Sequence, residues 1–276
     1  KTGLTPQRPA SCAYEQSTAK TDAASLDGAT PTPAPAPAAR RNTDAAAAAN
    51  AVRKPGELFS GATRQQLNVV FSRMSRPVTL ALELDDTPLS TELQGFIDAM
   101  VALSGGKLKS VVVDGEYEKD DMGRSVFDVE HVLPAARPCV RMVVDGKPTG
   151  LAFHGVPSGH EFNSFVLGLY NVAGSGQPLG DDLIERAKSI TDPLSIMILV
   201  SLTCTMCPET VLASQRIASL NPAVRAEAYD VAHFPELRDH YGAMSVPCIV
   251  ITRADGTQQV EFGKKSIPQM LELVGA

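Results

Sequence analysis

The sequence contains no tryptophan, and aromatic residues make up only 5% of its 276 positions. A buried core must therefore depend mainly on Val, Leu, Ile and Ala. Acidic residues outnumber basic ones, which gives a net charge of −6, and the basic residues form no stripe. Nucleic-acid surfaces need clustered Lys and Arg to neutralise phosphates. The composition therefore excludes a nucleic-acid-binding protein.

Long apolar runs are missing as well. The longest, such as residues 196–200, are far shorter than the roughly 20 residues of a membrane-spanning helix. No charged start followed by an apolar segment indicates a signal peptide. The five cysteines are an odd number and widely spread apart from one close pair, unlike a secreted disulfide framework. We expect a cytoplasmic protein without a membrane segment. Because the sequence begins with Lys1 and not with Met, a further domain before residue 1 remains an alternative.

Residues 1–56 are rich in Ala, Pro, Thr and Asp, and proline occupies alternate positions across residues 31–37. Such a stretch favours extended polyproline conformations and has almost nothing to bury. We predict a flexible tether. Cys12 lies within it and is not expected to be catalytic.

After the tether, one pattern of elements runs through the sequence twice. Each pass predicts an opening helix, a strand, a helix and a second strand, and then a β-hairpin and a closing helix. The turns of the two hairpins are Asp145-Gly146 and Asp255-Gly256. Parallel strands joined by a crossover helix, with an added hairpin, give the thioredoxin topology. The predicted fold class is therefore α/β, with one thioredoxin-like fold at 57–178 and a second at 179–276.

Cys204 and Cys207 form a Cys-x-x-Cys pair between a predicted strand and a predicted helix. The unpaired N–H groups and the positive dipole at a helix start favour a thiolate, so Cys204 is the predicted nucleophile. Cys207, about one turn further along, is placed to resolve a mixed disulfide. A zinc or iron–sulfur site would require a second pair or ligand-spaced histidines, and the sequence has neither. The pair predicts thiol–disulfide exchange in the second fold.

Val246-Pro247 opens the strand that is expected to face the cysteines. An X–Pro bond in a tight approach beside a redox pair is predicted to be cis, against the alternative of an ordinary trans proline. A cis proline would leave the preceding backbone free to pair with an extended substrate segment. Cys248, directly after this proline, is either a third redox thiol or a small buried side chain, and we favour the second interpretation.

The first fold lacks a cysteine pair of its own. Aligning the first strands of the two passes puts Thr87 and Ser90 roughly where Cys204 and Cys207 stand, so the first fold is predicted to be redox-inactive. Cys139 follows Pro138 at the place equivalent to Cys248 and is predicted to be a core residue.

His160 and Glu161 stand at the start of the closing helix of the first fold. A carboxylate near a dithiol either accepts a proton or opposes thiolate formation. The alternative is a first-turn glutamate that the helix dipole favours. The residues alone leave both interpretations of Glu161 open.

These motifs resemble those of the N-terminal tandem-thioredoxin domain found in the flavoprotein component of alkyl hydroperoxide reductase. The resemblance runs from about Leu58 to the end of the sequence. It is strongest at residues 201–208 (Ser-Leu-Thr-Cys-Thr-Met-Cys-Pro), 220–222, 245–247 and 159–162. Thr205-Met206 between the cysteines is less polar than the central pair expected for this family.

The resemblance implies a dithiol relay. Electrons would come from a thioredoxin-reductase-like flavoprotein carrying FAD and NAD(P)H, in trans or upstream of residue 1, and pass to a peroxiredoxin disulfide. No Gly-x-Gly-x-x-Gly follows a strand, so this chain is expected to bind no cofactor itself. The resemblance also implies that Glu161 lies close to the Cys204–Cys207 disulfide, across the cleft between the folds.

Two alternative functions remain beside the relay. One is a broad-specificity protein disulfide reductase of the glutaredoxin kind. The other is a non-catalytic thioredoxin-fold docking module in which the cysteines are incidental. The predicted site residues for the relay are Cys204, Cys207, Pro247 and Glu161, with no metal ligand.

Overall fold

The computed structural model describes residues 58–113 and 136–276, and the predicted tether at 1–56 lies outside the described residues. The helices and strands are, in chain order, α1 (Gly61–Arg73), β1 (Val78–Glu83), α2 (Pro88–Leu103), β2 (Leu108–Val112), β3 (Cys139–Val144), β4 (Lys147–His154), α3 (Glu161–Ala173), α4 (Asp181–Lys188), β5 (Leu194–Val200), α5 (Cys207–Leu220), β6 (Val224–Asp230), α6 (Pro235–His240), β7 (Cys248–Arg253), β8 (Gln258–Phe262) and α7 (Ile267–Val274).

Two copies of one topology make up this part of the chain. In the first, β1 runs parallel to β2 and antiparallel to β3, which forms a hairpin with β4. In the second, β5 runs parallel to β6 and antiparallel to β7, which forms a hairpin with β8. These pairings confirm the predicted fold class of two thioredoxin-like folds. The exact division at 57–178 and 179–276 stays a prediction.

The two copies share one sheet. Its strand order is β2-β1-β3-β4-β6-β5-β7-β8, and β4 joins the copies by pairing in parallel with β6 from Leu151 to His154. On one face of the sheet, a cluster of buried apolar side chains extends across both folds, and α3 of the first packs against α5 of the second. The helix that carries Glu161 is thereby held beside the helix that follows the cysteines.

The first hairpin is longer than the sequence predicts. The sequence pattern predicts a return strand near residues 150–153, but β4 starts at Lys147, directly after the turn at Asp145 (φ 52°) and Gly146 (φ 74°). Pro148 has no N–H to donate, which favours a loop at this position. It is accommodated in β4 because the ladder to β6 begins only at Leu151, so no second neighbour requires that donor.

A buried network of charged groups crosses the seam on the opposite face of the sheet. Arg141 of β3 donates from Nε to Glu83 (2.9 Å) and from a terminal nitrogen to Glu227 of β6 (2.5 Å). His154 Nε2 lies 2.9 Å from the second oxygen of Glu227, and the Tyr229 hydroxyl donates to that oxygen at 3.1 Å. Complete burial of Glu227 opposes ionisation, yet Arg141 and His154 hold its pKa well below its usual range. The network ties β1, β3 and β4 of the first fold to β6 of the second.

No helix within residues 58–113 and 136–276 has the length and apolar character that crossing a bilayer requires.

Candidate functional site

Cys204 and Cys207 form a disulfide at the start of α5, with their Cα atoms 5.6 Å apart. Cys207 is the first residue of the helix and is fully buried, whereas Cys204 precedes the helix and is partly exposed. The amide of Cys207 points at Sγ of Cys204, 3.2 Å away. Pro208 occupies the second helical position, where a missing N–H costs no hydrogen bond. The helix start therefore directs an unpaired N–H and its positive dipole at the outer sulfur.

The predicted proline faces this sulfur. The Val246–Pro247 peptide bond is cis, as predicted, and the Val246 carbonyl oxygen lies 3.8 Å from Sγ of Cys204. The bond between Arg137 and Pro138, at the equivalent place in the first fold, is also cis and was not predicted. The start of β7 thus forms one wall of the site.

The first turn of α3 reaches the same site from the other fold. The amide of His160 donates to the carbonyl of Leu202 (2.9 Å), in the loop that leads to Cys204. Gly159 approaches this loop so closely that a Cβ atom there would lie 2.5 Å from the Leu202 oxygen. Only glycine fits this position, which has a φ of +56°. The close approach fastens the start of α3, and with it Glu161, to the cysteine loop.

Glu161 is completely buried, although it carries a carboxyl group. Its Oε2 accepts a hydrogen bond from the hydroxyl of Ser164, and Oε1 has no hydrogen-bond partner among the described residues. Burial raises the pKa of Glu161 to about 7; the Ser164 hydrogen bond opposes the rise and the charge of Asp230 adds to it. A carboxyl group that titrates near neutral pH is suited to exchange protons.

Asp230 and His233 lie at the sheet edge next to the cysteine loop, and the sequence did not single them out as site residues. Asp230 ends β6 and is paired in the ladder with Val200, the last residue before the cysteine loop. The carboxyl ends of parallel strands meet at one edge of a sheet, so an acid at the end of β6 was a usable signal. His233 stands in the turn that follows, with Nε2 3.6 Å from Oδ2 of Asp230.

The remaining described cysteines are buried and take no part in the disulfide. Cys139 and Cys248 are thiols outside any disulfide, each the first residue of the strand that follows a cis proline. Burial raises the pKa of Cys248 to about 11, which leaves it almost entirely as an unreactive thiol at neutral pH. These observations support the core interpretation of both residues. Cys12 lies outside the described residues.

The exposed rim of the site carries both apolar and charged groups. Met206, between the cysteines, is 48% exposed, and Met244, just before the proline loop, is 95% exposed. Lys264 pairs with Glu209 of the first turn of α5 (2.9 Å). In the described part of the chain, no group of three or more His, Cys, Asp or Glu side chains is arranged to hold a metal ion.

Comparison with known proteins identifies the family. A family model described as a thioredoxin domain matches residues 194–261, which include the cysteine pair. The N-terminal domain of the alkyl hydroperoxide reductase AhpF from Enterococcus faecalis superposes with a TM-score of 0.67 at 37% identity, covering 79% of this chain and all of that domain. The chain belongs to the AhpF family of alkyl hydroperoxide reductase proteins.

A second AhpF structure and a curated AhpF sequence also match this chain. A variant of AhpF from Enterococcus faecalis gives a TM-score of 0.68 at 37% identity, over 79% of this chain and 100% of that chain. AhpF of Pseudomonas aeruginosa is 32% identical over 188 residues, which are 68% of this chain and 32% of that protein. The chain spans about a third of the length of the curated AhpF relatives it matches.

Proposed function

We propose that this chain relays electrons from a flavoprotein carrying FAD and NAD(P)H to the disulfide of a peroxiredoxin, in the detoxification of peroxides. One observation carries the proposal: Cys204 and Cys207 are joined at a helix start, with one sulfur partly exposed and the other buried. Family membership supplies the setting of peroxide reduction. FAD and NAD(P)H are assigned to the donor, and none of the residues of this chain is assigned to them.

In the reduced state, Cys204 is the attacking sulfur. The Cys207 amide and the positive end of α5 stabilise negative charge on Sγ of Cys204, which favours its thiolate. The thiolate attacks one sulfur of the partner disulfide; a mixed disulfide forms and the other partner sulfur leaves as a thiolate. Pro247 and the Val246 carbonyl form the wall against which the partner segment lies.

Cys207 then resolves the mixed disulfide. Its S–H proton goes to the carboxylate of Glu161, its sulfur bonds to Sγ of Cys204, and the second partner sulfur leaves as a thiolate. The pKa of Glu161, raised to about 7 by burial, suits a base that must take and return a proton near neutral pH. A dithiol of the flavoprotein reverses the sequence by reducing the Cys204–Cys207 disulfide through the same exchange.

Reconstitution tests the relay. Nicotinamide oxidation would be followed in a mixture of a thioredoxin-reductase-like flavoprotein, the full chain, a typical two-cysteine peroxiredoxin and hydrogen peroxide. We expect turnover that saturates with the chain and is absent with Cys204→Ser. If the chain reduces insulin disulfides as fast as it reduces the peroxiredoxin disulfide, the broad-specificity reductase is favoured instead. Undiminished peroxide turnover with both cysteines replaced would favour a docking module.

A further inference from the structure

Two methionines on the exposed rim of the site differ from every other methionine of the described residues. Met206 is 48% exposed and Met244 is 95% exposed. The others are at most 2% exposed and belong to the core: Met74, Met100, Met142, Met197 and Met270. An apolar side chain that stays in water contributes little to the stability of the fold. The two exposed thioethers are instead available to molecules that approach the disulfide.

Both exposed methionines are close in the chain to groups that contact Sγ of Cys204. Met206 is the residue before α5, and the amide of the next residue, Cys207, lies 3.2 Å from this sulfur. Met244 stands two residues before Val246, whose carbonyl oxygen lies 3.8 Å from the same sulfur. Each of these two walls of the site therefore carries one thioether at its rim. A partner disulfide that reaches Sγ of Cys204 must approach past this rim.

In the disulfide state, the two thioethers are more open to oxidants than the described cysteines are. Cys204 and Cys207 are joined to each other, so neither offers a thiolate. Cys139 and Cys248 are buried, and burial raises the pKa of Cys248 to about 11. A thioether reacts with oxidants without first losing a proton. Excess peroxide is therefore expected to oxidise the exposed methionines before it oxidises a described cysteine.

We propose that Met206 and Met244, the methionine rim, form an oxidation site at which peroxide reversibly lowers electron transfer from this chain to the peroxiredoxin. This inference rests on the proposed function. The thioether sulfur attacks the terminal oxygen of the peroxide, and the S–O bond forms as the O–O bond breaks. The proton of the attacked oxygen passes to the leaving oxygen, which departs as water or, from an alkyl hydroperoxide, as an alcohol. The sulfur loses two electrons and the peroxide gains them.

Oxidation changes what the rim offers to a partner. A methionine sulfoxide is polar and chiral, so an apolar contact at the edge of the site becomes one whose oxygen must stay hydrated or hydrogen-bonded. The thiol chemistry itself is not altered, because Met206 makes no capping hydrogen bond to α5 and the Cys207 amide still faces Sγ of Cys204. The modification therefore weakens binding of the peroxiredoxin and leaves the reactivity of the cysteine pair intact. Methionine sulfoxide reductase, which returns the sulfoxide to the thioether, reverses it.

Treatment of the full chain, in its disulfide form, with hydrogen peroxide tests the site. After the peroxide is removed, peptide mass mapping measures the gain of one oxygen at each methionine. We expect the methionine rim to be oxidised at least about tenfold faster than the buried Met197 and Met270. In the reconstituted system, the KM for the peroxiredoxin should then rise by about tenfold, and methionine sulfoxide reductase should restore it. Reduction of dithiobis-nitrobenzoate, a small disulfide that needs no docking surface, should keep its rate.

Leucine variants assign the effect to the methionine rim. Leucine keeps the apolar volume of methionine but has no sulfur to oxidise. Each variant is compared with its own untreated sample. The double variant Met206→Leu with Met244→Leu should show no rise in KM after treatment. Met270→Leu, at a buried position, is the matched control and should show the same rise as the wild-type chain.

The outcomes separate this inference from the relay itself. The oxidation site is overturned by an unchanged KM in a wild-type chain whose rim is oxidised, by an equal rise in the double leucine variant, or by a rise that the reductase does not restore. A slower reaction with dithiobis-nitrobenzoate would place the damage at the cysteines and overturn it as well. Failure of the relay shows before any treatment, as an untreated chain that does not reduce the peroxiredoxin, and would remove both proposals. Normal untreated turnover that survives oxidation removes the oxidation site alone.

Discussion

The helices α2 and α5 are equivalent in the two copies of the fold, but the groups that hydrogen-bond to their first turns differ. In the first fold, Oδ1 of Asp85 accepts hydrogen bonds from the backbone N–H of Thr87 (3.1 Å), the Thr87 hydroxyl (2.5 Å) and the Ser90 hydroxyl (2.6 Å). Ser90 returns a bond by accepting from the Asp85 amide (2.9 Å). A carboxylate and two hydroxyls thus fill the positive end of α2.

At the start of α5, no carboxylate or hydroxyl caps the helix. Met206 is the residue before the helix and makes no capping hydrogen bond, and the first helical amide points at the sulfur of Cys204 instead. Both helices offer the same positive end. In the first fold, the positive end of α2 stabilises the carboxylate of Asp85. In the second fold, the positive end of α5 faces Sγ of Cys204, which is charged only when the disulfide is reduced. The helix of the fold without a cysteine pair, α2, therefore has the more complete side-chain cap.

Sheet register gives a sharper alignment of the two sites than sequence alone. Glu83 pairs with Cys139 in β1–β3 as Leu199 pairs with Cys248 in β5–β7. Counted from these equivalent positions, Cys204 and Cys207 correspond to Pro88 and Thr91, one residue beyond the predicted Thr87 and Ser90. The capping residue of α2, Thr87, thus lies one position before the residue that corresponds to Cys204.

The largest effect should follow from removing the sulfur pair. Cys204→Ser or Cys207→Ser is expected to lower the rate of peroxiredoxin reduction by about four orders of magnitude or more, as loss of a nucleophile does in other enzymes. Cys139→Ala is the matched control and should retain turnover, because this thiol is buried in the first fold. The rates come from nicotinamide oxidation in the reconstituted system. A Cys139→Ala chain as inactive as Cys204→Ser would contradict the contrast between the folds.

The next largest effect tests whether the two folds unfold as one unit. Arg141→Met leaves the carboxylates of Glu83 and Glu227 buried at the seam without their cation. We expect a loss of about 3–5 kcal/mol in the free energy of unfolding, in a single transition. Urea unfolding followed by circular dichroism measures it. Arg76→Met is the control, since this arginine pairs with Asp145 on the surface and is expected to contribute less than about 1 kcal/mol. Two transitions, of which only one shifts, would show that the folds are independent.

Glu161→Gln separates function from stability. The pKa of Glu161 is raised by burial from 4.5 to about 7 in the folded chain, so ionisation of this group destabilises the fold as pH rises across that range. Replacing Glu161 by Gln should therefore stabilise the chain above pH 7, by of order 2–3 kcal/mol, and change little below pH 4.5. Urea unfolding at pH 5 and pH 8 measures the difference. A variant less stable than wild type at pH 8 would contradict the buried-carboxylate account.

The same variant should slow the Cys207 step. When the reduced chain reacts once with dithiobis-nitrobenzoate, the second nitrothiobenzoate is released as Cys207 resolves the mixed disulfide. With no carboxylate to accept the proton, this second release is expected to slow by about 10–100-fold at pH 8 and to lose its dependence on pH near 7. Glu209→Gln, an exposed residue of the first turn of α5, is the control and should leave the rate within about twofold. An unchanged pH profile in Glu161→Gln would remove Glu161 from the relay.

Much of this architecture could be predicted from local patterns, whereas the partners of buried polar groups could not. The strand–helix order, the turn at Asp145-Gly146 and the position of the cysteine pair follow from periodicity and turn chemistry. The pairing of Arg141 and His154 with Glu227 depends on β4 lying beside β6, a contact between distant segments. No local pattern encodes that register, so the residues it brings together emerged only from the folded chain.

The smallest effect returns to the cap of the first fold. Asp85→Ala removes the shared acceptor of Thr87 and Ser90 and should cost about 1 kcal/mol without changing turnover. Slight burial opposes ionisation of Asp85, but the hydrogen bonds from Ser90 and Thr87 lower its pKa. Its stabilising effect is thus complete above about pH 5 and is lost as the pH falls through the folded-state pKa. Urea unfolding of wild type and variant should converge in acid, while Asp86→Ala, the exposed neighbour, should match wild type throughout. A loss of turnover in Asp85→Ala would mean that the first fold takes part in the relay after all.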